Sequence, residues 1–190
     1  DTVRGGIHII PRKFTFQNYI SIFESNSKLI TGFINSVLRT VIGTIAGVLC
    51  TTMLAYTLSR TDYMFRKPIS VLFVLTMYVS GGLIPEYMVI RNLGLINKFS
   101  VYVWPMLINA FNVIVLRSFM DNLPFELQES AKIDGANDLV IFWKIIFPLC
   151  MPAIATVALF VAVGQWNSWF DTYLYAKKDY LTTLQYELMK

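Results

Sequence analysis

The chain has 190 residues, of which 55% are hydrophobic and 15% are charged, and its mean hydropathy is +0.54. Soluble domains are about 45–50% apolar and about 25% charged, so this composition predicts a membrane protein. The net charge of +4 predicts contacts with lipid headgroups rather than with nucleic acid, because no run of five basic residues occurs.

The sequence contains few histidines and cysteines, the residue types on which many metal sites and catalytic sites depend. There is one histidine, His8, and the two cysteines, Cys50 and Cys150, both lie inside apolar runs. We therefore expect no metal site, no disulfide framework and two small buried cysteines. The sequence contains no GxxxxGK[ST] phosphate loop, and a lone histidine argues against a Ser-His-Asp set. We predict that the chain is not an enzyme and carries no cofactor.

The first predicted transmembrane helix covers residues 35–58, after a polar opening stretch. At about 1.5 Å per residue it is about 36 Å long, enough to cross a hydrocarbon core of about 30 Å. Arg39 lies near one end of this run, where we expect its side chain to reach the headgroups. Gly43 and Gly47 form a GxxxG pair, which predicts the close approach of another helix.

Three further apolar runs follow, at residues 69–90, 99–116 and 148–170. The second contains Gly81, Gly82 and Pro85, so we do not expect a straight helix there. The third and fourth runs contain no charged residue, and the tail after them is polar and aromatic, which suits a membrane interface. The sequence thus predicts an all-α membrane protein, a multi-span helical bundle with four spans in a single domain over residues 1–190.

The connection between the third and fourth runs, residues 121–147, is partly charged. It is typical of two short helices around a turn at Asp134-Gly135. Asn122 or Leu123 can cap the first helix, and Asn137 or Asp138 can cap the second. By their helical spacing, Leu139, Phe142 and Ile146 are predicted to share one face of the second helix.

Two interpretations of this loop are possible. It could lie on the lipid headgroups as an interfacial hairpin. However, Glu126, Glu129 and Asp134 in the first helix and turn are accompanied only by Lys132, and anionic lipids would repel that charge. A helical hairpin with acids and apolar side chains fits better into the groove of a soluble protein.

The order of residues in the loop resembles the EAA loop of permease subunits from bacterial ABC importers. Glu129-Ser130-Ala131 is followed by three residues, Gly135, nine residues and Ile145-Ile146-Phe147-Pro148. The family pattern is Glu-Ala-Ala, three residues, Gly, nine residues, Ile, any residue, Leu and Pro. This chain departs from it at Ser130 and Phe147, in each case by a mild exchange.

Segments on both sides of the loop extend this resemblance. NSVLRTVIGTIAGVLCTTMLAYTLSR is similar to the second span of such permeases, and WNSWFDTYLY is similar to the carbohydrate importers, of the aldouronate or multiple-sugar type. The resemblance implies six spans in the whole protein, so we expect one span before Asp1 and one after Lys190. It also implies a multi-pass protein of the bacterial plasma (inner) membrane.

The resemblance implies that the loop lies in the cytoplasm and docks in a cleft of a separate ATPase chain. The residues carried over for this contact are Glu129, Ser130, Ala131, Asp134, Gly135, Ala136, Ile145 and Pro148. The residues alone leave alternatives open, since Glu129 could lie on a solvated helix face and Gly135 could be a plain helix cap. The implied partners are ABC ATPase subunits, a second permease subunit, an extracytoplasmic solute-binding protein, a sugar substrate and the lipid bilayer.

Polar side chains inside the spans are candidates for a substrate pathway, because such groups are costly in a bilayer. These candidates are Asn109, Asn112, Gln165, Trp166 and Asn167. Amides can bond sugar hydroxyls, and an indole ring can cover the C–H face of a sugar. The alternative is that they form hydrogen bonds between helices.

The sequence and the resemblance together predict the membrane-spanning subunit of a binding-protein-dependent importer for sugars or oligosaccharides, in which the loop couples ATPase closure to alternating access. One alternative is an importer of the same type for a non-sugar solute. Another is an ATP-independent secondary transporter or channel, but this would need a coupling-ion site or proton relay, and the spans contain almost no acids. The sequence does not identify the sugar.

Overall fold

The computed structural model describes residues 27–190, and the predictions for the polar opening stretch lie outside these residues. Helix α1 covers Ser27–Ser59, 33 residues, which makes it about 50 Å long. From Lys28 to Ser59 it is long and apolar enough to cross a membrane. This helix contains the whole of the first predicted span.

The second apolar run is broken, as its glycines and proline predict. Helix α2 covers Arg66–Tyr78 and helix α3 covers Leu83–Asn92, with Gly82 between them at a φ of +80°. Pro85 lies in the first turn of α3, where a helix tolerates a residue without an N–H group. Among the described residues, neither helix is by itself long enough to span a membrane.

The third apolar run begins with two short 3₁₀ turns, Phe99–Tyr102 and Trp104–Met106. Helix α4, Ala110–Asp121, follows at an angle of 47° to them. Asn109 starts α4, because its side-chain oxygen accepts a hydrogen bond of 3.2 Å from the Asn112 amide.

The predicted pair of short helices is present in the loop. Helix α5 covers Glu126–Ile133, and helix α6 covers Asp138–Ile141. The chain then widens into a π-helical turn over Phe142–Ile146 and continues as α7, Phe147–Leu149. Helix α8, Met151–Asn167, leaves this segment at an angle of 81°.

The bend between α7 and α8 is flanked by two prolines, Pro148 and Pro152. Neither can donate the backbone hydrogen bond that a straight helix would require. If each bent pair counts as one span, the described residues contain up to three spans by length and composition. The four-span count therefore stays a prediction.

The core forms where α4 and α8 pack along the central helix α1. Near the loop, the buried apolar side chains include Ala55, Leu116, Phe142, Ile146 and Val157. A second apolar cluster lies at the opposite end of the bundle, around Tyr102, Tyr175 and Leu181. It lies beside the short elements that close the chain, namely α9, Phe170–Tyr175, a 3₁₀ turn, Asp179–Leu181, and α10, Leu184–Met189.

Many large apolar side chains remain on the surface. Within the described part of the chain, α2 has no buried residue, and it exposes Val71, Leu72, Leu75 and Tyr78. A soluble monomer rarely exposes such a continuous apolar surface, whereas lipid or neighbouring spans would cover it in a membrane.

Candidate functional site: the coupling loop

Helix α5 has one inward and one outward side. Ala131 is buried in the apolar core, whereas Glu129 and Ser130 point away from it and are exposed. Glu126 and Glu129 both lie in the first turn of α5, where negative charge stabilises a helix. The structure therefore presents the predicted acid Glu129 outward, where a partner can reach it.

The turn after α5 is a Schellman motif. The Ala136 amide donates to the Ala131 carbonyl over 2.9 Å, and the Gly135 amide donates to the Lys132 carbonyl over 3.0 Å. Gly135 has a φ of +82°, but a Cβ atom placed on it would meet no atom within 4 Å. The glycine is thus needed for its left-handed backbone rather than for space, and its local role is that of a helix cap.

Apolar side chains stand out from the loop beside the acids. Ile133 is 86% exposed and Leu139 is 62% exposed, and Phe125 and Trp143 are also on the surface. We call these four side chains, together with Glu129, the docking surface. Such an apolar patch with an acid at its side suits a groove in another protein better than an anionic headgroup layer.

The expectation that Leu139, Phe142 and Ile146 share one face is wrong. Phe142 and Ile146 are buried in the core, whereas Leu139 points outward. The π-helical turn over Phe142–Ile146 inserts an extra residue, which rotates the following side chains relative to α6. Ile145 is half-buried and Pro148 is exposed at the end of this segment.

The caps of the two loop helices differ in how well they were predicted. Asn137 caps α6, because its side chain accepts a 2.9 Å hydrogen bond from the Val140 amide. The prediction that Asn122 or Leu123 caps the first helix is wrong. Helix α5 begins only at Glu126, and the residue at its cap position, Phe125, makes no side-chain hydrogen bond. Asn122 instead ends α4.

The expectation that Arg39 reaches the lipid headgroups is wrong. Arg39 lies on α1, at the end of the bundle opposite to the loop. Its side chain is fully buried and forms an ion pair of 2.5 Å with Asp171. It also donates to Gln165 Oε1 over 3.1 Å and lies 4.6 Å from the centre of the Tyr102 ring. Sequence reasoning missed this network because Asp171 lies 132 residues away along the chain.

Gly43 makes this network possible, and it leads to a testable prediction. A Cβ atom at Gly43 would lie 2.6 Å from Gln165 Nε2, which is already held by a 3.2 Å hydrogen bond to the Tyr102 carbonyl. We expect Gly43→Ala to destabilise the protein by about 1–3 kcal/mol, because the crowded amide cannot move without losing its partners. Thermal unfolding of the purified full-length protein in detergent measures this.

Gly47 provides the matched control for that substitution. It belongs to the same GxxxG pair, but a Cβ atom there would make only ordinary contacts, the nearest of them with Leu107 O at 3.5 Å. Gly47→Ala should therefore leave the unfolding temperature nearly unchanged. Equal shifts for the two alanine variants would contradict the account of Gly43.

Three of the five pathway candidates line one cavity. Asn109, Asn112 and Gln165 border a cavity of about 250 Å³ between the third apolar run and α8. The structure places Trp166 and Asn167 elsewhere: Trp166 packs edge-on against Phe33, and Asn167 donates to the Val163 carbonyl over 3.0 Å. Gln165 uses both its amide atoms in contacts between helices, which is the alternative role for these residues.

The described residues offer no group of three or more His, Cys, Asp or Glu side chains that could hold a metal ion. The loop exposes acids and large apolar side chains instead.

Comparison with known proteins agrees with this picture. Residues 43–170 match the family described as "Binding-protein-dependent transport system inner membrane component". The chain belongs to this family. The matched region contains the whole loop of residues 121–147, and this permease family is a membrane component of transport systems rather than a family of enzymes.

Two relatives from one organism are similar over most of this chain. The chain is 46% identical over 167 residues to the polygalacturonan/rhamnogalacturonan transport system permease protein YtcP of Bacillus subtilis, covering 88% of this chain and 58% of YtcP. It is 41% identical over 167 residues to protein LplC of the same organism, covering 88% of this chain and 56% of LplC. The chain thus spans less than three-fifths of the length of these two relatives.

A solved structure supports the same fold. The chain is 29% identical to a chain of a bacterial ABC transporter involved in the import of the acidic polysaccharide alginate, with a TM-score of 0.93. The match covers 98% of this chain and 66% of that chain. The predicted all-α permease fold and the resemblance to carbohydrate-uptake permeases are confirmed.

Sequence reasoning missed Arg60, which lies in the short connector between α1 and α2. Its side chain is 7% exposed and contacts Tyr56, Asp62 and Asp138. A basic residue placed directly after an apolar run, with an aspartate two residues later, was the signal available for it.

Proposed function

We propose that the chain is part of the membrane-spanning permease subunit of a binding-protein-dependent ABC importer for sugars or oligosaccharides. In this proposal the coupling loop lies in the cytoplasm and the protein is a multi-pass component of the bacterial plasma membrane. The observation that carries it is the docking surface, an exposed acid and four exposed apolar side chains on the loop between two spans.

The proposal includes ATPase subunits that are separate chains. ATP binding closes a pair of ATPase subunits, and that rigid-body movement must be transmitted to the spans. The loop suits this task because α5 and α6 are short, joined by a tight turn and backed by the buried side chains of Ala131 and Phe142. Glu129 can meet a basic group in the ATPase cleft, which would orient the apolar contact.

The proposed cargo is a sugar or oligosaccharide, and the names of a relative and a structural neighbour support it. YtcP is named for transport of polygalacturonan and rhamnogalacturonan, and the structural neighbour is involved in the import of alginate. Within this chain, Asn109 and Asn112 line the cavity that a hydroxyl-rich substrate could use. A second permease subunit and an extracytoplasmic solute-binding protein complete the proposed importer.

The docking role predicts the effect of one charge reversal. Glu129→Lys in the full-length protein should reduce co-purification of the ATPase subunits roughly tenfold, because a like charge would then face a basic cleft. Co-purification from membranes, followed by sugar uptake into cells, measures the two consequences.

Glu86 supplies the control for this test. It is also an exposed glutamate near a helix start, but it lies on α3 at the opposite end of the bundle. Glu86→Lys should leave ATPase co-purification unchanged. Normal ATPase recovery and normal uptake in Glu129→Lys would refute the proposed docking.

A further inference from the structure

Arg60 lies at the point where α1 ends and the connector begins. Its guanidinium donates to both Asp62 carboxylate oxygens, over 3.0 Å and 2.8 Å. It also donates to the Tyr56 hydroxyl over 2.9 Å and to Asp138 Oδ1 over 2.8 Å. Tyr56 belongs to α1 and Asp138 is the first residue of α6, so a single side chain joins the central span to one loop helix.

The other loop helix is joined to the same group. Lys132 on α5 donates to Asp62 Oδ2 over 3.4 Å, and Asp62 is held by Arg60. Arg60 thus reaches α6 directly and α5 through one carboxylate. We call Arg60, Asp62, Lys132 and Asp138 the Arg60 cluster. Its two cations and two anions balance in charge.

Apolar contacts lie directly behind this cluster. The Tyr56 ring is 5.4 Å from the Phe142 ring, centre to centre, and both side chains are buried. The polar cluster therefore rests on a close-packed core, which resists gradual deformation and favours movement as a unit.

The ionisation of Asp62 favours a permanent connection between Arg60 and the loop helices. The hydrogen bond from Arg60 is the main cause that holds the pKa of Asp62 well below its usual range, and the charge of Arg60 and the hydrogen bond from Lys132 add to it. A carboxylate with a lowered pKa keeps its partner contacts above about pH 4 and loses them only as pH falls through the lowered value. The link is thus complete throughout the physiological range. Arginine suits this position because its four hydrogen bonds leave from three nitrogens of a planar group, whereas lysine has three donors on a single nitrogen.

We propose that Arg60 is a positioning residue that locks both helices of the coupling loop to α1, so that a displacement of the docked loop moves the central span with it. Because α4 and α8 pack along α1, the movement would reach most of the described bundle. This inference rests on the proposed function, since it assigns to Arg60 the transmission step that follows docking.

The test separates transmission from docking. In the full-length importer reconstituted with its ATPase, Arg60→Met should retain ATPase co-purification but raise the ATP hydrolysed per sugar transported roughly tenfold. Arg60→Lys should give a ratio between wild type and Arg60→Met, because charge returns without the fork. Lys67→Met, which removes an exposed charge from the first turn of α2, should keep the wild-type ratio.

A second variant tests the same inference if Arg60→Met does not fold. Asp62 is largely exposed, so Asp62→Asn should fold normally while weakening the path from Arg60 to α5. We expect a severalfold rise in ATP consumed per sugar, with unchanged ATPase recovery. An unchanged ratio in Asp62→Asn, or equal ratios in Arg60→Met and Lys67→Met, would overturn the inference. Loss of ATPase co-purification in Glu129→Lys tests the proposed function separately.

Discussion

Arg39→Met is expected to destabilise the protein more strongly than Gly43→Ala, which disturbs the same network. The variant removes a fully buried cation and leaves the Asp171 carboxylate and the Gln165 amide oxygen without their main partner. Breaking a buried ion pair from one side costs about 3–5 kcal/mol, which is a large part of the stability of an ordinary domain. The yield of monodisperse full-length protein in detergent, and its unfolding temperature, measure the loss.

A matched ion pair lies on the same helix. Lys28 on α1 pairs with Asp179 over 2.9 Å, but both side chains are largely exposed. Surface pairs contribute little, so Lys28→Met should unfold at nearly the wild-type temperature. Arg39→Lys should lie between the two, since it keeps the charge but not the contacts to Gln165 and Ser168. If Arg39→Met behaves like Lys28→Met, the buried network has no structural role.

Gly135→Pro is expected to abolish transport, with the helical bundle still formed. Proline requires a φ near −65°, whereas Gly135 has +82°, and proline also removes the amide that donates to Lys132. The turn between α5 and α6 would have to reorganise, and the docking surface would lose its arrangement. Sugar uptake should fall to background and the ATPase should no longer co-purify from membranes.

The chain contains a control with the same backbone motif. Gly94 follows α3 with a φ of +65°, and there the Gly94 and Leu95 amides donate to Arg91 and Ile90 in the same Schellman pattern. Gly94→Pro should disturb the opposite end of the bundle to a similar degree but leave ATPase recovery intact. The alanine pair, Gly135→Ala and Gly94→Ala, gives a milder version, with about 1–2 kcal/mol of strain at each site. Equal ATPase recovery in Gly135→Pro and Gly94→Pro would show that the turn has no special part in docking.

Features that depend on neighbouring residues were predictable from the sequence. The Asp134-Gly135 turn, the Asn137 cap and the break around Gly82 follow from local backbone preferences, and the structure contains all three. The long apolar run of α1 was equally clear, since hydrophobicity over a whole span does not depend on tertiary contacts.

The errors arose where tertiary contacts decide the outcome. Arg39 was expected at the headgroups, but its partners Gln165 and Asp171 are more than 120 residues away, as their separations of 126 and 132 show. Arg60 was overlooked because its second carboxylate, Asp138, is 78 residues distant. The prediction that Leu139 shares a face with Phe142 and Ile146 was wrong, because it assumed an unbroken α-helix across Phe142.

The π-helical turn over Phe142–Ile146 has a consequence for how the permease family can vary. Because this turn holds one residue more than an α-helical turn, deleting a residue there would rotate α6 and its outward side chains by about 100° relative to α7. We therefore expect relatives of this chain to vary by substitution in this segment and to keep its length, even though the segment joins two apolar runs.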